Sequence, residues 1–287
     1  MVEATRAEER FRVKVDGPQN APVLLMSNSL GCDLTMWDDI VPTLAQKYRV
    51  VRYDTRGHGG SVVVNRPTSI AELAEDALAI LDELGVERAH YVGLSMGGMI
   101  GQWLLRHAPD RLDRVVLCNT SPMMGPPDLW NTRIRTAREK GMAALLPATL
   151  ERWFTPEFRA RKPEGLARVA RMFEATDPEG YASCCAAIRD MDQRWPLRSV
   201  VGDVTVLVGA RDPGTTPAMG KQIADAIPGA RLVSVDTAHI SVVERPDAVA
   251  AAILAALAAP ARQAPARKPA ATREPAAGAR KAPPAAR

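Results

Sequence analysis

Short apolar segments alternate with amphipathic helical segments along most of this chain, and this alternation limits the folds open to it. Helices are predicted over residues 69–84, 97–107, 218–227 and 246–258, the first with a capping box made by Ser69 and Glu72. Strands are predicted over seven segments: residues 10–16, 22–29, 48–56, 89–95, 114–120, 204–210 and 231–237. Because strands and helices alternate, we expect an α/β fold with a mostly parallel central sheet and helices on both faces.

The alternation is interrupted between residues 123 and 198, where no segment has a strand pattern. Helical stretches are predicted near Trp130, within residues 145–154, after Thr155-Pro156 and after Asp177-Pro178. In the last two, a capping residue precedes proline at the first helical position. We therefore predict an inserted helical lid at residues 123–198, between two parts of one core at residues 1–122 and 199–259.

The last segment, residues 260–287, is rich in Pro, Ala and Arg and has no apolar periodicity, so it is predicted to be a disordered tail. It holds seven Lys or Arg and one Glu, a net charge of +6, whereas the whole chain carries +4. The other 259 residues therefore carry −2, and we expect no nucleic-acid partner, since such domains concentrate positive charge on a folded face.

Two further features bear on the compartment. The chain has no apolar run of eighteen residues and its first residues lack the apolar core of a signal peptide, so neither a membrane span nor secretion is predicted. The four cysteines have no metal-ligand spacing, and Cys184 and Cys185 are adjacent, which makes them poor disulfide partners. Reduced thiols in the cytoplasm and no bound metal are the expectation.

The motif Gly93-Leu94-Ser95-Met96-Gly97 lies between a predicted strand and a predicted helix. A serine hydroxyl is a weak nucleophile that must be presented where a base can reach it, and a sharp strand-to-helix turn with flanking glycines does this. The alternative is a glycine-rich turn with a solvated serine. The strand before the motif and the helix after it favour Ser95 as a nucleophile.

The base can be identified by elimination among four histidines. His90 lies at the start of the strand that leads to Ser95, and His107 lies more than two turns down the following helix. His58 precedes the serine, whereas nucleophile, acid and base follow one another along the chain in this type of site. His239 alone follows the last strand, at the sheet edge where such folds place their sites, and is predicted to be the base.

The acid should lie between nucleophile and base, in a loop at the same sheet edge. Asp212 follows the first strand after the helical segment and is predicted to accept the Nδ1–H of His239. Asp236 is a rival acid only three residues before the histidine, and the position after an earlier strand is occupied by Asn119. The other interpretation of Asp212 is a turn aspartate before proline.

Two backbone N–H groups are needed to stabilise the oxyanion. Met96 follows the nucleophile at a helix N-terminus, and Leu30 lies in the loop after the second strand, so these two are the candidates. The glycine-rich segment at residues 54–61 lacks the lysine and spacing of a phosphate-binding loop. It is interpreted as a structural turn that borders the site.

These motifs resemble the α/β-hydrolase fold, and more closely the 3-oxoadipate enol-lactonases of the β-ketoadipate pathway. The shared motifs are DTRGHGGS, GLSMGGM and the DP and AH segments of the acid and base. The more particular ones are SNSLG, WNTRI, ERWFTPEFR and GYASCCAAIRDMD, and the resemblance covers residues 12 to 258.

The resemblance implies a triad of Ser95, Asp212 and His239 that hydrolyses a small-molecule lactone without a cofactor or a metal. Because the lactone of that pathway carries a carboxylate, one cation is expected in the pocket. Arg133, three residues after Trp130, is the candidate, and a surface arginine on a helix is the alternative interpretation.

Three other functions remain open at this stage. Another lactonase or a carboxylesterase would share every catalytic residue, and the segment SPMMG at residues 121–125 departs from the lactonase pattern beside the expected pocket. A cofactor-free haloperoxidase would use the same triad. A non-catalytic ligand-binding member of the fold is a third possibility, and the oligomeric state is left open.

Overall fold

The predicted central sheet is present in the computed structural model, which describes residues 10–161 and 163–259. In that part of the chain seven strands lie in the order β1-β3-β2-β4-β5-β6-β7. All neighbours pair in parallel except β1, which is antiparallel to β3 at one edge. The strands are β1 (Val13–Asp16), β2 (Val23–Ser27), β3 (Arg49–Tyr53), β4 (Ala89–Leu94), β5 (Leu112–Cys118), β6 (Asp203–Gly209) and β7 (Arg231–Val235).

Helices cover both faces of this sheet, which explains why every residue of the central strand β4 is buried. The capping box predicted at Ser69 and Glu72 is confirmed at the start of α2. The helices are α1 (Val41–Leu44), α2 (Ile70–Glu83), α3 (Met96–His107), α4 (Pro127–Lys140), α5 (Leu146–Trp153), α6 (Pro156–Arg161), α7 (Pro163–Glu174), α8 (Pro178–Asp190), α9 (Pro217–Ala226), α10 (Ser241–Glu244) and α11 (Pro246–Ala258). Short 3₁₀ helices lie at Leu34–Trp37, Pro109–Arg111, Met142–Ala144 and Pro196–Ser199.

The helices α4 to α8 lie between β5 and β6 along the chain, within the segment predicted as an insertion, and residues 123–198 are called the helical insertion below. The cap predicted before proline is confirmed at α8, where the Asp177 side chain accepts the N–H groups of Glu179 and Gly180. Helix α7 was not predicted as a separate element. Its entry falls within a polar segment that already carries the end of α6, so the sequence pattern has no clear break there.

The helical insertion is joined to the core at the edge formed by the carboxyl ends of the strands. The carbonyl oxygen of Trp153, at the end of α5, accepts the backbone N–H groups of His239 and Ile240, both at 3.1 Å. Near the two ends of the insertion, Met123 and Asp192 pair in an isolated antiparallel β-bridge. These contacts place the insertion above the loops that carry the predicted site.

The four cysteines are free and buried. Burial raises the pKa of Cys118 to about 12, so this thiol stays protonated. Within residues 10–161 and 163–259, no helix has the length and apolar character needed to cross a membrane. The predicted disordered tail, residues 260–287, lies outside the described residues.

Candidate active site

Ser95 lies at the turn between β4 and α3. Its backbone has φ 57° and ψ −113°, a strained conformation for a residue other than glycine, and its side chain is buried. A Cβ on Gly93 would come within 2.2 Å of the Gly97 carbonyl oxygen, and one on Gly97 within 2.0 Å of the Ser27 carbonyl oxygen. The turn is therefore possible only with glycine at both positions, as the motif indicated.

Asp212 and His239 meet at the same edge of the sheet. Asp212 follows β6, His239 follows β7, and the distance from Nδ1 of His239 to Oδ2 of Asp212 is 2.7 Å. Thr215 also donates to Oδ2 of Asp212 at 2.7 Å, and the N–H groups of Gly214 and Thr215 donate to Oδ1. Together with Nδ2 of Asn119, which donates to Oδ2 at 3.1 Å, these groups give the carboxylate five donors that hold it in one orientation.

The pKa of Asp212 reflects two opposing effects. Burial alone would raise it, but attraction to His239 and hydrogen bonds from His239, Thr215 and Asn119 outweigh burial, so the pKa lies below its usual value. Asp212 is therefore ionised at neutral pH. An ionised partner on Nδ1 fixes the tautomer of His239 that leaves Nε2 available as a base.

Ser95 and His239 line one cavity between the sheet edge and the helical insertion. Among the described residues, the lining contains two arginines and no carboxylate. Its residues are Ser29, Leu30, Ser95, Met99, Met124, Trp130, Arg133, Thr149, Arg152, Trp153, Tyr181, Ile188, Gly214, Thr215 and His239. Ser95 and His239, the two members of the predicted triad that would contact a substrate, thus line the same cavity as side chains from α4, α5 and α8.

The two predicted oxyanion donors lie beside this space. Met96 is the first residue of α3, where backbone N–H groups have no acceptor within the helix, and Leu30 lines the cavity. Across the described residues, neither the Leu30 N–H nor the Met96 N–H donates a hydrogen bond, while the neighbouring Gly97 N–H is taken by the Asn28 carbonyl at 2.9 Å. Both groups are free to bind an anionic oxygen.

The rival acid and the other histidines lie elsewhere. Asp236 is 67% exposed and pairs with Arg211 at 2.9 Å. His107 stacks on Trp103, and His90 packs edge-on against Tyr48. None of these groups lines the cavity of Ser95. His58, the remaining histidine, is buried and is bonded to the loop that holds Leu30.

Asn119 takes part in the site, which the sequence did not predict. It follows β5 with φ 45°, and its Nδ2 donates to Oδ2 of Asp212 and to the Ala238 carbonyl, both at 3.1 Å. Its Oδ1 accepts the hydroxyl of Ser241 at 2.9 Å. Asn119 therefore ties the acid to the histidine loop, and its position at the end of a central strand was the available signal.

Trp130 and Arg133, the candidates for substrate binding, both line the cavity. Trp130 is buried, and Cζ of Arg133 lies 4.6 Å from the centroid of its ring. Arg133 is half-buried rather than a fully solvated surface residue. Sequence reasoning missed Arg152 and Trp153, which also line the cavity; the indole of Trp153 stacks toward His239 at a centroid distance of 6.5 Å.

Within the described ranges, no group of three or more His, Cys, Asp or Glu side chains is placed to hold a metal ion. The site brings together a buried serine, an imidazole paired with a carboxylate, and two backbone N–H groups without an acceptor among the described residues. Side chains of this kind can attack and release an acyl group.

Comparisons with known proteins identify the family of this chain. The sequence matches the alpha/beta hydrolase fold family over residues 22–246. It is 39% identical over 232 residues to 3-oxoadipate enol-lactonase 2 of Acinetobacter baylyi, which covers 81% of this chain and 87% of that protein. It is 35% identical to 3-oxoadipate enol-lactonase 1 of the same organism, over 84% of this chain and 91% of that protein.

The fold is similar to solved structures as well. The crystal structure of an enol-lactonase from Burkholderia xenovorans superposes with a TM-score of 0.85 at 43% identity, covering 86% of this chain and 96% of that one. This similarity extends over most of the chain that forms the seven-stranded, mostly parallel sheet and the strained turn at Ser95. The chain belongs to the α/β-hydrolase fold family and is a hydrolase similar in sequence and structure to the enol-lactonases.

Proposed function

We propose that this enzyme hydrolyses 3-oxoadipate enol-lactone to 3-oxoadipate, through a triad of Ser95, His239 and Asp212. The observation that carries the proposal is the 2.7 Å contact between His239 and Asp212 beside a cavity that Ser95 also lines. The similarity to two 3-oxoadipate enol-lactonases favours this lactone over other esters.

In the proposed mechanism, His239 Nε2 takes the hydroxyl proton of Ser95 as Oγ attacks the lactone carbonyl carbon. The N–H groups of Leu30 and Met96 stabilise the tetrahedral oxyanion. The intermediate collapses by cleavage of the ring C–O bond, and the enol oxygen leaves with the proton from His239. This enol ketonises while it remains tethered to the acyl chain.

A water molecule completes the cycle. His239 removes a proton from water, the resulting hydroxide attacks the acyl carbon, and Ser95 leaves with that proton. The net reaction adds one water to the lactone and forms one new carboxylate. Asp212 stabilises the imidazolium in both half-reactions, and the mechanism needs no cofactor or metal.

The helical insertion acts as a lid in this proposal. Two features support that role: its residues supply much of the cavity wall, and Trp153 is hydrogen-bonded to the backbone of His239. Trp130 and Arg133 are proposed to contact the substrate from α4. The buried, free thiols fit a reducing compartment, and we propose the cytoplasm as the location.

Ultraviolet-monitored hydrolysis of freshly prepared 3-oxoadipate enol-lactone tests the proposal. Purified enzyme should consume the lactone, the Ser95→Ala variant should lose at least a thousandfold in kcat, and Ser199→Ala, an exposed control, should match the wild type. If aryl esters are cleaved through Ser95 and the lactone is not, the enzyme is a different lactonase or carboxylesterase. Peroxide-dependent halogenation by the wild type would instead favour a haloperoxidase.

A further inference from the structure

A second serine lines the cavity of Ser95. Ser29 lies in the loop after β2 and is only 1% exposed. The hydroxyl of Ser27, two residues earlier, has a partner, the hydroxyl of Tyr53 at 2.7 Å. Across the described residues, the hydroxyl of Ser29 forms no hydrogen bond, and because protein atoms do not fully enclose it, it is open to the cavity.

The loop places Ser29 between the two backbone groups proposed to bind the oxyanion. The carbonyl oxygen of Asn28, the residue before it, accepts the N–H of Gly97 in the first turn of α3 at 2.9 Å. The residue after it is Leu30, which also lines the cavity. The side chain of Ser29 is therefore adjacent to the N–H groups of Leu30 and Met96.

The loop that carries Ser29 is held from several sides. The side-chain amide of Asn28 accepts the Nε1–H of Trp37 at 2.7 Å and donates to the carbonyl oxygen of Tyr53 at 2.8 Å. The carbonyl oxygen of Ser29 itself accepts the N–H of Cys32 at 3.1 Å. A hydroxyl on such a fixed loop needs only to rotate about its Cβ–Oγ bond to aim its proton, so it is preorganised for a charge that develops in the transition state.

A buried hydroxyl without an acceptor is unfavourable in the resting enzyme, because it has lost water and gained no partner. Among the described residues that line the cavity, no carboxylate is available to accept its proton. An oxygen that becomes negative during the reaction would supply the missing acceptor. The unpaired hydroxyl thus has the properties of a donor kept for a reaction intermediate.

We propose that the hydroxyl of Ser29 is a third oxyanion donor, which joins the N–H groups of Leu30 and Met96 on the negative oxygen of both tetrahedral intermediates. Ser29 keeps its proton, and no covalent bond to it forms or breaks. The inference rests on acyl transfer by Ser95 in the proposed function and not on the identity of the lactone. Because a hydrogen bond to a charged oxygen is stronger than one to a neutral carbonyl, the contribution of Ser29 falls on kcat rather than on KM.

Two substrates that differ in one atom test this role. Attack on 4-nitrophenyl hexanoate forms an oxyanion, whereas attack on its thionoester, with C=S in place of C=O, places the charge on sulfur, a weak hydrogen-bond acceptor. Ser29→Ala should lower kcat for the oxoester about tenfold to a hundredfold and change KM less than threefold. It should lower kcat for the thionoester less than threefold. The ratio of the two rates in one preparation is independent of the folded fraction.

Two further variants serve as controls. Ser29→Cys keeps a side chain of similar shape with a weaker donor and should give a ratio between those of the wild type and Ser29→Ala. Ser183, on α8, is also buried, but its hydroxyl donates to the carbonyl oxygen of Arg66 at 2.7 Å and lies outside the cavity. Ser183→Ala should leave the ratio unchanged.

A transition-state analogue provides an independent measurement. A trifluoromethyl ketone with the same alkyl chain adds Oγ of Ser95 to its carbonyl carbon and carries an oxyanion in the adduct. Its Ki should rise at least tenfold in Ser29→Ala, whereas the Ki of the product hexanoate should change less than threefold.

The possible failures are distinguishable. An unchanged ratio of oxoester to thionoester rates in Ser29→Ala, or a loss confined to KM, would overturn the third donor. If Ser95→Ala still hydrolyses the oxoester, both the proposed triad and this inference fall. If Ser95→Ala is inactive and Ser29→Ala has an unchanged ratio and an unchanged Ki for the ketone, only the role of Ser29 is refuted.

Discussion

The backbone N–H of Gly31 donates a hydrogen bond to Nε2 of His58 at 2.8 Å. Nδ1 of the same ring lies 3.1 Å from the carbonyl oxygen of Arg56, so Nδ1 carries the proton and Nε2 is the acceptor. The glycine-rich turn after β3 thereby holds the loop after β2, next to Leu30. The imidazole of His58 is a buried support for the proposed oxyanion loop.

Removing this support should impair turnover more than substrate binding. We expect His58→Ala to lower kcat about tenfold to a hundredfold with a small change in KM, less than or similar to the loss of one oxyanion donor. His58→Gln, which keeps an acceptor, should retain more activity. Steady-state kinetics with an aryl ester or with the lactone would measure kcat and KM, with His107→Gln as the control. An increase in KM at an unchanged kcat would contradict this role.

His58 should also make stability depend on pH. Burial lowers the pKa of His58 to about 4, whereas an unfolded histidine has a pKa of about 6.5. Between these values the unfolded chain binds more protons, so the folded state loses stability as pH falls from 6.5 to 4, by at most about 3 kcal/mol from this group. Urea unfolding at several pH values should show a steeper decline for the wild type than for His58→Gln; parallel declines would refute the assignment.

Glu244 anchors the helical insertion to the histidine loop. Its buried carboxylate accepts hydrogen bonds from the hydroxyl and N–H of Thr155, the hydroxyl of Thr237 and the N–H of Ala238. Glu244→Gln replaces an acceptor oxygen with a donor, so we expect the free energy of unfolding to fall by about 2 kcal/mol. Chemical denaturation would measure it. The exposed Glu174→Gln should stay within about 0.5 kcal/mol of the wild type, and an equal loss there would contradict the prediction.

Asn119 should set the protonation of the acid. Asn119→Asp keeps the side-chain shape but replaces the donor to Asp212 with a second carboxylate, which raises the pKa of the pair. We expect a lower kcat/KM at neutral pH and an acidic limb of the pH–rate profile shifted to higher pH. The matched variant Asn131→Asp, on α4, should leave the profile unchanged. An unshifted acidic limb in Asn119→Asp would rule out this role.

Local sequence patterns were sufficient for much of the fold. The alternation of apolar segments predicted the seven strands, and the capping box at Ser69 and Glu72 predicted the start of α2. These features depend on neighbouring residues, since burial of a strand or capping of a helix is decided within a few positions. The short helix α1 and the separate helix α7 were missed because neither has a clear pattern of its own.

The candidate site, too, could be predicted from the sequence only in part. The order of Ser95, Asp212 and His239 along the chain follows from the fold class, so the sequence alone could identify them as candidates. The contacts of Asn119 with the acid loop, and of His58 with Gly31, join segments 93 and 27 residues apart. Such pairs have no local signature, because they depend on which loops the sheet order brings to one edge.

By itself, then, the sequence determined the strands, the helix starts and the residue types able to perform acyl transfer. Only the tertiary structure decided that Arg152 joins Arg133 in the cavity and that no carboxylate among the described residues lines it. The physical reason is that charge balance in a cavity is a property of side chains from several elements, and each arginine taken alone has the pattern of an ordinary surface residue on a helix.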